Sequence, residues 1–418
     1  MIGRNGRVAM SIGIDLECLK GVRVVDFTQF EAGPSCTEAL AWLGAEVVKI
    51  EALGTGDPGR RLQPGRIQDD PWYFHQFNAN KKSVTLNLKS AQGLAIVRAL
   101  LAKADVTVEN MAPGTIERLG LSYTEVKAIN PGIIYCRVKG FGAGSPYEKN
   151  LAFDMIAQAA GGTISVTGDA DRAPVKPGTS LGDTGTGMLM AISILGALYQ
   201  RAKTGQGRLL EVAMQDAMLH YMRVPFSRTQ LSGKAVLRDG SSRSTPGGLT
   251  PSALYPCDPG GPNDYVYVFC SRANPEHWQR LLKVIGREDL SGDSRYDTQR
   301  ARSERGAEVD AIISDWTRRR SKQEAMRLFG QAGVPAGAVF DTLELLNEPT
   351  FVERGIMQTV DHPTTGTVKM PTWPVRFDGA TPKLRPSPLL GEHVEEVLGS
   401  WLAMSAGDIA ALREEGIL

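Results

Sequence analysis

The chain lacks most of the features that announce a chemistry. Its five cysteines (Cys18, Cys36, Cys136, Cys257, Cys270) are odd in number and form no C-x-x-C pair. That excludes a zinc ribbon and a disulfide framework, and it suits a reducing cytosol. There is no H-E-x-x-H and no Walker loop, and no G-x-S-x-G nucleophile elbow is expected, so zinc-protease, NTPase and common hydrolase chemistries have no signature. Neither sign of charge dominates. A formal net charge of +1 gives no electrostatic support to nucleic-acid or anionic-membrane binding. The start, Met1 to Gly13, holds two arginines but no long apolar core, so it does not read as a secretory signal. The longest apolar stretch, Met188–Tyr199, is too short to span a bilayer and reads as a buried helix. A cytoplasmic protein is expected, with no membrane or nucleic-acid partner.

What is present is an α/β pattern. A length of 418 residues makes two domains the default. Val22–Phe27 reads as a strand, Gly33-Pro34 opens a helix to about Leu43, and Ala45–Ile50 follows as a second strand. Ser83–Leu88, a helix around Ala91–Lys103, Val106–Glu109 and Ile133–Val138 repeat the theme. Short apolar runs alternating with helices mean βαβ units and a parallel, doubly wound sheet. After Gly205-Gln-Gly207 come one more strand and a helix from Met214 to about Met222. Leu231–Gly261, rich in Ser, Gly, Pro and Arg, reads as a linker. Beyond it lie a strand at Tyr265–Cys270 and helices at His277–Ile285, Ala307–Arg318 and Lys322–Gly330. The expected division is an extension over 1–18, a large domain from 19–224, a small one over 225–330, and a return to the large domain over 331–418. Pro335–Val339 and Val368–Pro371 supply strand-like segments to that return.

Two glycine-rich segments invite a functional reading. Gly54-Thr-Gly56-Asp-Pro-Gly59 fits G-x-G-x-x-G after a strand, but a dinucleotide site needs a helix to begin inside the motif. Pro58 and the residues Arg60-Arg-Leu-Gln-Pro64 break such a helix, so a surface loop is expected. Leu181-Gly-Asp183-Thr-Gly-Thr-Gly187 precedes the apolar helix and sets Asp183 at its N-terminal edge. Asp is a favoured N-cap there, worth about 1 kcal/mol. The neighbouring glycines add nothing to a cap and would let a bulky ligand approach, while a helix N-terminus favours an ionised carboxylate. Spacing leaves cap and nucleophile both open. The histidines are scattered; His75, His220 and His277 read as packed or capped rings, and no metal site is expected.

Taken together, Leu19–Thr28 with Ala32-Gly-Pro34, Leu43–Glu51, Asn80-Lys-Lys-Ser83, Ala104–Asn110, Leu181-Gly-Asp183 with Thr186-Gly187, and Pro388–His393 resemble the class III CoA-transferases, the family of the formyl-CoA and carnitine CoA-transferases. The resemblance covers nearly the whole chain. It implies an α/β fold with a Rossmann-like large domain built on a parallel sheet from both chain ends, plus a smaller α/β domain. It also implies a homodimer interlocked like linked rings. The implied activity is transfer of CoA from an acyl-CoA to a carboxylic acid, formyl-CoA:oxalate or another small mono- or dicarboxylate pair, through aspartyl anhydride and aspartyl-CoA thioester intermediates on Asp183. CoA thioester is then substrate, with no permanently bound cofactor and no metal.

By the same resemblance Glu31 and Tyr73 meet the reacting groups. Gln29, Ala32, Leu86, Lys89, Asn110, Met111, Arg118 and Lys139 fall where the family contacts CoA, Leu86–Lys89 towards the adenine end. Glu31 stands where formyl-CoA transferases have glutamine; Ala52, Leu62 and Leu151 replace an arginine, a tryptophan and a lysine. The family's glycine run is absent, with Pro246-Gly-Gly248 as its candidate replacement. Two rival readings remain. An acyl-CoA racemase of the same fold needs bases on both faces of a carbon and carries histidine where Phe153 stands, before Asp154. A CoA-ester-binding homologue without turnover would have no need of Asp183.

Overall fold

The computed structural model describes residues 13–62, 70–242 and 248–418; of the Pro246-Gly-Gly248 candidate, Pro246 and Gly247 lie outside them. The chain forms two compact units. One holds the described residues up to Thr163 with Lys176–Ser227 and Glu348–Leu418, and the other holds Ile164–Val175 and Arg228–Asn347.

The first unit is built on six parallel strands: β1 (Arg23–Asp26), β2 (Glu46–Ala52), β3 (Lys82–Leu86), β4 (Val106–Glu109), β5 (Ile134–Lys139) and β6 (Arg208–Ala213). Their order is β3-β2-β1-β4-β5-β6, and every pairing is parallel. Both faces are covered, as an all-parallel sheet requires. Val24, Val47, Val106 and Ile134 face one cluster with Cys36, Leu40, Met190 and Ile194. Their neighbours Val25, Val48 and Tyr135 face the other, with Val97 and Leu100 and, from the far end of the chain, Val397, Leu398 and Trp401. Both chain ends therefore build one sheet layer. A hairpin of β10 (Met357–His362) and β11 (Gly366–Pro371) belongs to the same unit.

The second unit is an antiparallel sheet of β7 (Ser252–Pro256), β8 (Tyr265–Phe269) and β9 (Ala336–Ala338). Helices Glu276–Ile285, Gly306–Thr317 and Lys322–Gln331 bury Trp278, Leu281, Ile313 and Phe329 against Tyr255, Val266 and Val268. Two readings change here. β7 lies inside the stretch expected to be linker, and β9, expected to return to the first unit, pairs with β8 instead.

The largest departure concerns the glycines beside Asp183. The helix does not start at Met188; it runs Leu181–Thr204 and takes Gly182, Gly185 and Gly187 into its first two turns. Protein, and no open space, faces each of them. A Cβ on Gly187 would stand 2.2 Å from Ser35 Oγ and 2.5 Å from the Ala32 carbonyl oxygen, and one on Gly182 would stand 2.7 Å from the Asp154 carbonyl oxygen. They permit helix contact where room for a ligand was expected. At 24 residues this helix is long and apolar enough to cross a membrane by length and composition, which corrects the length argument drawn from Met188–Tyr199. Gly54-Thr-Gly56-Asp-Pro-Gly59 opens no helix, as expected, but it is not all surface. Gly56, Asp57 and Gly59 are buried around a short 3-10 turn, Pro58–Arg61.

Gly187→Ala is expected to lower stability by about 1–3 kcal/mol through overpacking, whereas Gly330→Ala, with nothing within 4 Å of its Cβ, should be neutral or gain up to about 1 kcal/mol. Urea unfolding of the two variants checks the pair. A second expectation concerns acid. His75 is buried, bonded to Ser387 Oγ (2.6 Å) and Thr365 Oγ1 (2.9 Å). Burial first, then His362 and Arg60, push its pKa down to about 4. An unfolded histidine titrates near 6.5, so between these values the unfolded chain binds the extra proton and stability falls as pH falls. The loss attributable to His75 is about 3 kcal/mol across that window. His75→Gln should flatten the slope in pH-dependent unfolding, and an unchanged slope would rule the cause out.

Candidate active site

The strand order reverses between β1 and β4, and a crevice is expected outside the carboxyl ends of strands at such a point. The cleft found there has a volume of about 210 Å³. Its walls are the segments that follow β1 (Gln29, Phe30, Glu31, Ala32) and β4 (Asn110, Met111) and the end of β5 with the next residue (Lys139, Gly140), with Phe153 and Asp183 added by the chain further on.

Each wall is held by a traceable contact. Lys49, fully buried on β2, donates to the Thr28 carbonyl oxygen (2.6 Å) and pairs with Asp57 (2.7 Å). Burial alone would lower the Lys49 pKa, but Asp57, Asp26 and Glu51 hold it above its usual value. Asp57 also accepts the Phe30 N–H (3.1 Å) and so steadies Phe30 in the left-handed region at φ 62°, a conformation costing roughly 1–2 kcal/mol outside glycine. The turn delivers Glu31 to the start of helix Ala32–Trp42 without a side-chain cap bond, leaving its carboxylate for the cleft. Asn110 locks the next wall: its Oδ1 accepts from Gln29 N and its Nδ2 donates to Gln29 O, both at 2.8 Å. Lys139 donates to Glu109 Oε2 and to the Met111 carbonyl oxygen, both at 2.7 Å.

Asp183 does not cap its helix. Asp154, from helix Asp154–Ala160, takes that place by accepting Gly182 N–H (2.8 Å) and, more loosely, Asp183 N–H (3.4 Å). The Asp183 carboxyl is thereby left unused by the cap and stands in the first turn. Burial, then Glu31 and Asp154, push its pKa up to about 7. Glu31 is buried too. Burial raises its pKa, against hydrogen bonds with Thr184, Ser180 and Tyr73 that favour its charged form; the Thr184 hydroxyl donates to it at 2.8 Å. Tyr73 sits on helix Trp72–Asn78, its phenol pushed upward by burial and by Glu31, Asp183 and Asp57.

Of the residues singled out in the sequence, the cleft gathers Gln29, Glu31, Ala32, Asn110, Met111, Lys139 and Asp183, and Tyr73 adjoins through Glu31. Three stand apart from it. Leu86 is packed in the core. Lys89 is exposed beside Asn87, and exposed Arg118 bonds the Thr115 hydroxyl (2.9 Å). Asp154, Ser180 and Thr184 are partners that sequence reasoning missed. Gly178-Thr-Ser180-Leu-Gly182 does carry the G-x-S-x-G spacing, but no strand precedes it, so the strand–turn–helix context of a hydrolase elbow is missing. A wider hollow of about 610 Å³ adjoins the cleft, sharing Ala112, Pro113, Lys139 and Leu151, and brings in Arg137 and Lys149.

Asp154→Asn should keep the helix start, since Asn caps as well as Asp, while removing one negative charge beside Asp183. The Asp183 midpoint is then expected below its wild-type value of about 7, so the carboxylate persists to lower pH. Infrared or NMR titration of the Asp183 carboxyl reads this directly; an unmoved midpoint would exclude the coupling.

Comparison with known proteins agrees with this geometry. The model of CoA-transferase family III matches residues 19–394. Proteins named formyl-CoA:oxalate CoA-transferase are 38% identical in Streptomyces coelicolor, over 96% of this chain and 99% of the relative, and 36% identical in a Bradyrhizobium species, over 96% and 97%. Among solved structures, a CAIB/BAIF family protein from Brucella suis superposes with a TM-score of 0.80 at 30% identity, covering 93% of this chain and 100% of that one. Rv3272 from M. tuberculosis gives 0.76 at 28%, over 91% and 99%. With its sheet order, its cleft and these relatives in agreement, the chain belongs to CoA-transferase family III.

Proposed function

We propose that this CoA-transferase exchanges CoA between small carboxylic acids with Asp183 as covalent nucleophile. The observation that carries the reading is the Asp183 carboxyl lining the cleft, relieved of capping by Asp154. The ionised carboxylate attacks the acyl-CoA carbonyl, the C–S bond breaks, and a mixed anhydride forms as CoA thiolate leaves. The thiolate then attacks the Asp183 carbonyl, releasing the donor acid and leaving an aspartyl-CoA thioester. An acceptor carboxylate reverses both steps and restores the free Asp183 carboxylate. Each difficult exchange is split into easier ones, and the negative charge passes from carboxylate to thiolate and back. The relatives' name supports a small donor acid and a small acceptor acid, without fixing the charge of the acceptor here.

In this reading the pantetheine arm follows Gln29, Ala32, Asn110 and Met111 towards Lys139, and the nucleotide end lies towards Lys89 and Arg118, while core-packed Leu86 makes no contact with it. Glu31 and Tyr73 face the reacting carbonyl. A homodimer, interlocked as the family resemblance implies, would cover Ile192, Tyr199, Leu219 and Val224, which are 65%, 66%, 49% and 68% exposed. A cytoplasmic setting, where CoA esters are available, goes with bacterial relatives.

Asp183→Asn is expected to reduce transfer at least roughly 10³-fold and to abolish the covalent adduct. It should also make the fold more stable above pH 7. Burial and the neighbouring acids hold the wild-type carboxyl at about 7, above an unfolded aspartate near 3.9, so burying its charge costs stability that grows as pH rises from about 4 to about 7. Intact-mass analysis during turnover, hydroxylamine inactivation in the presence of acyl-CoA, and thermal unfolding at pH 8 provide the three readouts. An active variant, or an active wild type that never carries an adduct, would end the reading.

A further inference from the structure

The inner cleft is a wall of acids. Glu31 and Asp183 both line it, and Asp154 stands behind Asp183, bonded to its helix. Among the described residues lining that cleft, Lys139 is the one basic side chain, and its ammonium is already engaged by Glu109 and by the Met111 carbonyl oxygen. Glu31 itself is only 6% exposed and is anchored by Thr184, the residue after the nucleophile.

We infer that Glu31 makes this site selective for acceptors with a single negative charge, so that monocarboxylates are used in preference to dicarboxylates whose second carboxylate adjoins the reacting one. The inference rests on the reading of Asp183 as nucleophile. When the acceptor arrives, Asp183 is a CoA thioester and carries no charge, so Glu31 is the anionic group left on the wall beside it. Burial raises its pKa, while the hydroxyls of Thr184, Ser180 and Tyr73 bond its carboxylate and work in favour of the ionised form. A monocarboxylate places its one charge on the atom that attacks, and that charge departs with the thiolate. A dicarboxylate brings a second charge that the reaction does not remove, into a cleft where, among the described lining residues, the one cation is already engaged. Like charges brought together in a desolvated interface discriminate by repulsion.

The test uses the full chain in two steps. Acyl-CoA is added first and the Asp183–CoA thioester is recorded by intact mass. The loaded enzyme is then discharged with formate or acetate and, separately, with oxalate or malonate. For the wild type, kcat/KM is expected to favour the monocarboxylates by at least about tenfold. Glu31→Gln, which keeps the shape and removes the charge, should move the dicarboxylate-to-monocarboxylate ratio upward by a similar factor. Glu31→Ala should move it the same way if the first variant fails to fold. A wild type discharged as fast by oxalate as by acetate, or a ratio unmoved in both variants, overturns the inference while the nucleophile stands. Failure to form any thioester in the first step overturns both.

Discussion

The site depends on two helices meeting backbone to backbone. Gly187 brings the Leu181–Thr204 helix against the Ala32 carbonyl oxygen and Ser35, in the first turn of the Ala32–Trp42 helix. Because the contact falls near both N-termini, the residues that open the two helices, Glu31 and Asp183, converge on one cleft. A methyl group at position 187 would have to push these starts apart. An ordinary interior packing constraint thus becomes a condition on the spacing of two carboxyls.

The second constraint comes from below. Asp26, Lys49, Glu51, Asp57 and Lys81 are buried together under the loop after β1, with Lys81 paired to Asp26 (3.2 Å) and Lys49 to Asp57 (2.7 Å). Buried pairs of this kind are weak sources of stability, because desolvation offsets much of their attraction. Here they have a geometric use. Lys49 and Asp57 grip Thr28 and Phe30, and a left-handed Phe30 persists only where its surroundings over-determine it. The strain is local to the turn that delivers Glu31, as expected where backbone geometry serves a site.

The layout was legible in the sequence where one local pattern suffices. Val106–Glu109 reads as a strand and is one; the helix starts near Gly33 and Ala91 stand within a residue or two of Ala32 and Ala91 in the structure. β7 was hidden because its alternation is short and sits among turn-forming residues, and it is stabilised by distant partners, its pairing with β8 and the packing of Ala253 and Tyr255 in the core. The glycines of the Asp183 segment were misread for a related reason. A glycine that admits a ligand and one that admits a helix look alike in sequence, and only the position of Ser35 and Ala32 distinguishes them. The family resemblance led to Asp183 and Glu31. The capping exchange with Asp154, 29 residues away, and the engagement of Lys139 by Glu109, 30 residues away, are tertiary facts that no spacing encodes.

The balance of forces on Asp183 also differs from the expectation drawn from its helix. A helix N-terminus favours a carboxylate by about 0.3–1 kcal/mol, and by up to about 2 kcal/mol when partly buried. Burial beside Glu31 and Asp154 works the other way, and a pKa of about 7 corresponds to roughly 4 kcal/mol against the charged form. Burial and like charge win. The outcome suits the proposed role of Asp183, a nucleophile that would attack a thioester and later be displaced. A carboxylate with a raised pKa is a stronger base than an ordinary aspartate, yet it remains about half ionised at neutral pH. Had the helix terminus prevailed, Asp183 would be fully ionised but a poorer nucleophile; had the acids crowded closer, it would stay protonated. The cap taken over by Asp154 keeps the carboxyl out of the backbone's hydrogen bonds, and the Gly187 contact sets how near Glu31 can come. Packing, and not the helix dipole, therefore sets the chemistry available at this position.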